Sequence, residues 1–303
     1  MQTVYLEEKN ISNFIKVSRI HIAAIAAMGT FTFGWLFTGD YPWLITGVCA
    51  LDWYIVNLLN KAVDQTEDSV NQISGTEFID RHKKRLIKII TIVLISSLVL
   101  IHLINPFITA LRITCHLLGF LYNWPLLPGK RRLKQLYFWK NTASAIGFLV
   151  TMLGYPLASA IFNNHSYNFP TDISWATVYF SALFLFFFIL SNEIIYDMRD
   201  MQGDKIVGLR TYPVVHGKRM ASRIIDSLIV SSVIVFSIGY IFDFLPWRVF
   251  ILVFAPVLQF IFFNQALCNG ITAKYCTRMT WIGAAMFIVY HLWVVAGLPG
   301  ARL

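Results

Sequence analysis

An apolar run, VYFSALFLFFFILS, gives way to Glu193, Asp197, Asp200 and Asp204, with Lys205 and Arg210 close behind. If the helix continues past the run, these acids occupy neighbouring parts of one face. Like charges that close repel, and a divalent cation preferring oxygen ligands would relieve the repulsion. A second such cluster lies upstream, where Asn60, Asp64 and Asp68 follow one another in steps of four at the end of another apolar run. An amide oxygen and carboxylates are hard ligands suited to Mg2+, an ion that keeps several waters and shares its shell with substrate phosphates. The bland alternative is a pair of solvated helix ends, but two clusters in equivalent places favour one shared site. Basic residues are interleaved: Lys205 and Arg210 beside the second cluster, and Lys61, Arg81, Lys83, Lys84 and Arg85 around the first. That mixture fits a metal-bridged diphosphate, with cations on its free oxygens.

The elements that must position these residues are membrane spans. Of the 303 residues, 57% are hydrophobic and only 14% charged, and the mean hydropathy is +0.61. A soluble chain of this size would expose too much apolar surface, so the class is a polytopic all-α membrane protein. Nine spans are expected, at 20–38, 42–60, 86–104, 106–122, 141–162, 173–196, 223–243, 246–268 and 278–298, forming a single membrane domain over residues 1–303. Residues 1–19 read as a polar N-terminal segment without the pattern of a cleavable signal peptide. With nine spans, the links holding both acidic clusters and the 123–140 segment share the N-terminal side. All Lys and Arg except Arg112, Arg248 and Arg302 fall there. The positive-inside rule makes that side cytoplasmic. It also accounts for the net charge of +9 without a nucleic-acid partner. Cys49, Cys115, Cys268 and Cys276 show no metal-type clustering and read mainly as packing residues.

The third basic segment, LYNWPLLPGKRRLKQLYFWKNTASAIGF from Leu121, mixes Tyr122, Trp124, Tyr137, Phe138 and Trp139 with Arg132, Lys134 and Lys140. Its rings suit an interfacial belt, and a ring beside the site would stabilise an allylic carbocation. Three stretches together resemble the UbiA superfamily of intramembrane prenyltransferases: Asn60, Asp64 and Asp68; the segment from Tyr122 through Arg132, Lys134 and Asn141; and Asp197, Asp200 and Asp204, continuing to Gly217. The resemblance covers about 20–295. It implies a nine-helix bundle, two metal sites (Asn60, Asp64 and Asp68 in one; Asp197, Asp200 and Asp204 in the other) and Mg2+ as cofactor. It implies a prenyl diphosphate as donor and an aromatic, quinone-precursor or other lipid as acceptor, within the bilayer. Asp64, Asp68, Asp197, Asp200 and Lys134 are then the catalytic candidates. Asn60, Lys61, Arg81, Tyr122, Arg132, Lys134, Asn141, Glu193, Lys205 and Arg210 are candidates for holding substrate. The stretch SVNQISGTEFIDRHKKRL lacks the His-Pro-x-Lys-x-x-Arg-Pro that follows the first motif in many members, and Glu193 stands where an aspartate is usual. The basic segment is similar to the branch containing chlorophyll synthase and archaeal ether-lipid enzymes.

Two rival activities remain: a terpene cyclase of the same architecture, and a transporter or binding protein for a lipid phosphate or a cation. Within the spans, Asp52 and Asn57 lie deeper than Asn60. Asp52 reads as a helix-packing group or part of an acceptor pocket. Arg112 and His116 share a helix face, in a snorkelling or interhelical role, and His291 reads as a packed residue.

Overall fold

The computed structural model describes residues 18–71, 73, 75–163 and 168–297. Most of the expected N-terminal segment, the middle of the 162–172 link and Arg302 therefore lie outside the described residues. Among the described residues, twelve α-helices run in chain order: α1 Ile20–Thr38, α2 Trp43–Val63, α3 Gln65–Val70, α4 Thr76–Ile104, α5 Pro106–Asn123, α6 Trp139–Leu149, α7 Tyr155–Asn163, α8 Trp175–Ile206, α9 Tyr212–Ile241, α10 Trp247–Phe250, α11 Phe254–Asn269 and α12 Ala273–Val295. Among the described residues the only β pairing is an isolated bridge between Leu127 and Arg131.

Among the described residues, eight helical stretches are long and apolar enough to cross a membrane, with α6–α7 and α10–α11 each counting as one. The fourth expected span, 106–122, is α5, a helix of 18 residues that carries Arg112 and His116 and is not among those eight. Helix ends follow local chemistry. Asn105 caps α5 by accepting from the Ile108 amide, ahead of Pro106. Ser174 and Thr177 form a reciprocal cap on α8. Pro156 has no amide to donate and would crowd the carbonyl four residues back, and a π-turn at Val150–Gly154 joins α6 to α7 at that place.

The small residues of α1 make it the axis of the bundle. Gly29 faces Met152, and Gly34 faces Pro42 and Pro156, so a Cβ at either glycine would collide with them. In lipid, where apolar burial no longer drives association, such close approach supplies the packing energy. α4, by contrast, exposes Ile92, Ile95, Leu100 and Leu103, as a lipid-facing helix does.

Three boundaries differ from expectation in one direction. α4 begins about ten residues before its apolar part, α8 continues ten residues beyond its expected end to Ile206, and α9 begins at Tyr212 instead of 223. Hydropathy marks where lipid starts, whereas helices extend into water wherever propensity and packing allow. The second acidic cluster therefore sits on a continuous helix and not in a loop. The first sits on a joint: α2 ends at Val63, Asp64 has non-helical angles, and α3 resumes at Gln65. The amides of Asp64 and Asp68 still bond four residues back, so the cluster keeps helical spacing across the joint.

Four helices meet in a buried polar network. The Arg112 guanidinium donates to both Asp52 oxygens and to Ser97, while His116 Nε2 lies 2.9 Å from Asp52 and the Tyr155 hydroxyl donates to it at 3.0 Å. Arg112 is 0% and Asp52 3% exposed, so the interhelical reading of Arg112 holds and snorkelling does not. His291 is packed against Phe31, Trp35 and Tyr41, and all four cysteines are free.

Candidate active site

The two acidic clusters converge because α3 docks on the polar end of α8. The Gly203 amide donates to Asn71 Oδ1 at 3.0 Å, and a Cβ at Gly203 would stand 2.7 Å from that oxygen, so the Asn71 side chain would have to move away. Gly203→Val is therefore expected to push the first cluster off the second and slow turnover about tenfold. Asn71→Gly in the same chain should restore much of the loss in a diphosphate-release assay.

The segment between α5 and α6 folds over this junction. Its Lys134 binds Asp64 and lies 3.4 Å from Glu67, and Arg132 Nη1 is 3.2 Å from Asp64. Lys140 reaches the other cluster, 2.8 Å from Asp197 and 2.9 Å from Asp204. Asn141 also donates to Asp197, at 2.8 Å. Asp68 is held by Lys61 at 2.5 Å and Asp200 by Arg199. Tyr137 fixes the segment to α9 through a 2.7 Å bond with His216 Nε2, and partial burial raises its hydroxyl above the usual tyrosine range.

A cavity of about 330 Å³ opens from this junction into the bundle. Its polar end is lined by Arg19, Asn60, Asp64, Glu67, Asp68, Tyr122, Lys134, Lys140, Glu193, Asp197, Arg199 and Asp200. Its other arm is apolar, with Met152, Leu185, Phe188, Ile189, Met286, Phe287 and Trp293 among its walls. The five catalytic candidates, Asp64, Asp68, Lys134, Asp197 and Asp200, all line it, as do Asn60, Tyr122 and Glu193. Lys61, Asn141 and Asp204 stand behind this surface, paired with its acids or, for Asp204, with Lys140; Arg132 flanks Asp64. Arg81, Lys205 and Arg210 are exposed and do not line the cavity.

Sequence reasoning left out Arg19, Glu67, Lys140 and Arg199. The basic three hide in the positive-inside bias, which places many such residues at these helix ends. Arg199, interleaved between two acids of the second cluster, was the most legible of them.

Among the described residues no three Asp, Glu, His or Cys side chains form a closed metal cage. The oxygens nonetheless suit Mg2+. Asn60 Oδ1 is buried without a hydrogen-bond partner on a residue lining the cavity beside Asp64 and Asp68. An ion here would take part of its shell from a phosphate-bearing ligand and water, the usual habit of Mg2+.

The family model described as the UbiA prenyltransferase family matches residues 20–289. Among curated relatives, the digeranylgeranylglyceryl phosphate synthase of Natronomonas pharaonis is 28% identical over 115 residues, and that of Haloquadratum walsbyi 32% identical over 110. Each alignment covers 36% of this chain and only 38% of the relative. The solved structure of a UbiA homolog from Archaeoglobus fulgidus bound to DMAPP and Mg2+ superposes with a TM-score of 0.68 at 14% identity, covering 94% of this chain and 100% of that one. The same homolog bound to GPP and Mg2+ gives 0.68 at 15% identity, covering 95% and 99%. A solved digeranylgeranylglyceryl phosphate synthase gives 0.59 at 18% identity, covering 97% and 100%. At these identities the superpositions establish the fold.

Proposed function

The chain belongs to the UbiA prenyltransferase family, and on that footing we propose that it transfers an isoprenyl group from a prenyl diphosphate to a lipophilic acceptor within the membrane. The observation that carries this reading is the cavity, which joins a carboxylate–amide–cation end to an apolar arm in one space. A diphosphate ester of a long hydrocarbon has the same two-part chemistry. In the reaction, the bond between the allylic carbon and the diphosphate oxygen breaks and the diphosphate leaves with the electron pair. The acceptor forms a new bond to that carbon and releases a proton.

Mg2+, when bound, neutralises charge building on the leaving diphosphate. Asn60, Asp64 and Asp68 on one side, and Asp197 and Asp200 on the other, would hold it; Asp204, behind Lys140, acts through that lysine. Lys134, Lys140 and Arg19 line the polar end and offer donors to phosphate oxygens. The pairs Lys134–Asp64 and Lys140–Asp197 keep these cations oriented before substrate arrives, so little reorganisation is needed as charge develops. The Tyr122 ring, 5.9 Å below the Lys134 ammonium, also borders the cavity and presents a π face to cationic charge on the prenyl carbon. The apolar walls exclude water, which would otherwise quench that cation. The distribution of Lys and Arg supports a cytoplasmic position for the carboxylate end.

The test is diphosphate release by purified protein in lipid nanodiscs, using dimethylallyl, geranyl and geranylgeranyl diphosphates with a mixed acceptor panel. Release is expected with Mg2+, falling to background with EDTA and returning when Mg2+ is restored. Mass analysis should find the prenyl group on the acceptor; a cyclised hydrocarbon in its place would mean cyclase activity. Folded protein that releases no diphosphate from any donor would overturn the reading.

A further inference from the structure

The basic residues that follow the first acidic cluster stand outside the cavity. Arg81, Lys84, Arg85 and Lys88 are all exposed, and none of them lines it. They belong to the N-terminal turns of α4. Their steps of three, one and three residues stack them along one face of that helix. The same face continues at helical spacing in Ile92, Ile95 and Val99, each more than half exposed. The opposite face packs inward: Ile90 and Leu94 meet Ile55, Leu58 and Leu59 of α2, and Ile79 meets Ala62. A single stripe on the outside of the bundle therefore runs from four cations into apolar residues that face lipid.

The charge of this stripe has no answer within the protein. Among the described residues none of its four cations enters an ion pair. The acids of the same helix end, Glu77 and Asp80, are exposed, precede all four and join no ion pair either. From Arg81 to Lys88 the helix rises about 10 Å, close to the depth of one headgroup layer, roughly 5–8 Å. Long basic stems can lie along apolar surface while their charged ends reach the phosphate level. The positive-inside bias accounts for cations on this side of the membrane. It does not line four of them up, unpaired, above a lipid-facing stripe.

We infer that this stripe is a docking surface for anionic phospholipid headgroups of the adjoining leaflet, a lipid contact separate from the donor and acceptor of the proposed reaction. Its position chooses the occupant. Lys88 lies one turn from Ile92, so a soluble polyanion would have to displace headgroups to reach it, whereas a lipid phosphate is already at that level. The attraction is the ordinary one between a juxtamembrane basic cluster and an anionic leaflet.

Lipid retention tests this, read by native mass spectrometry on protein released from bilayers of equal phosphatidylglycerol and phosphatidylcholine. Wild type should keep phosphatidylglycerol about fivefold over phosphatidylcholine, and the preference should fall as salt is raised. Arg81→Gln, Lys84→Gln, Arg85→Gln and Lys88→Gln combined should bring it below twofold. Arg81→Lys with Arg85→Lys should preserve it, because charge and not guanidinium geometry is read. A charge-matched variant, Lys130→Gln, Arg131→Gln, Lys205→Gln and Arg210→Gln, removes as many exposed cations away from the stripe and should stay within twofold of wild type. Added phosphatidylglycerol should also raise the unfolding midpoint of wild type in detergent, and leave that of the stripe variant unchanged. Equal loss in the two quadruple variants would reduce the effect to net charge and overturn the inference. Displacement of phosphatidylglycerol by inorganic diphosphate would overturn it too, by making the stripe a site for free phosphate. If the stripe variant fails to fold, Arg81→Gln with Lys84→Gln and the salt dependence of wild type decide: retention unchanged by either would overturn it.

Discussion

Asp197→Ala is expected to lower Mg2+-dependent diphosphate release on the order of 10³-fold, with Asp64→Ala close behind. Each residue does two things. Asp197 lines the cavity and also receives Lys140 and Asn141; Asp64 lines it and receives Lys134 and Arg132. On the proposed reading, removing either takes away a ligand for the ion and frees the lysine that it pairs with. A lysine released from its carboxylate would still bind the diphosphate ground state. The loss should therefore fall mainly on kcat, with donor KM changed by less than about tenfold. Asp172→Ala is the control. Asp172 pairs with Arg248 at 2.5 Å and is 43% exposed, outside the site, so release should stay within twofold of wild type. Asp197→Ala retaining more than a tenth of wild-type kcat in folded protein would remove the second cluster from the chemistry.

Arg112→Met carries the largest expected effect on stability. It strands the Asp52 carboxylate among α2, α4, α5 and α7 with only His116 and Tyr155 as partners. Breaking a buried pair by deleting one member typically costs about 3–5 kcal/mol, because the remaining charge has no adequate solvation. Membrane reference states soften such values, so about 3 kcal/mol is expected, read as a lower unfolding midpoint in detergent. Adding Asp52→Leu should recover most of it, since two apolar groups need no partners. A single variant within 1 kcal/mol of wild type would mean that water or a lipid reaches the network.

Lys140 shows why part of the site was illegible in the chain. In sequence it is one of several basic residues at a helix end, where topology alone would put them. In space it is half-buried and paired with Asp197 and Asp204, which lie more than fifty residues away on α8. Lys205 and Arg210 show the reverse. They adjoin the second cluster in sequence, yet Lys205 sits at the exposed end of α8, which runs on to Ile206, and Arg210 lies exposed in the link to α9. Charge near a motif is a weak guide to charge near its ligand.

The chain by itself determined the class, the approximate places of eight spans and both acidic clusters. Those follow from lipid solvation and helical periodicity, which act within twenty residues or so. Asn60, Asp64 and Asp68, like Asp197 and Asp200, could be chosen because unpaired carboxylates at the edge of a span are too costly to be accidental. Only the tertiary structure decided which cation meets which acid, that α3 docks on Gly203, and that Asp204 stands behind Lys140 instead of lining the cavity. Each of these depends on contacts between helices far apart in the chain, and side-chain packing across that distance leaves no period in the sequence to read.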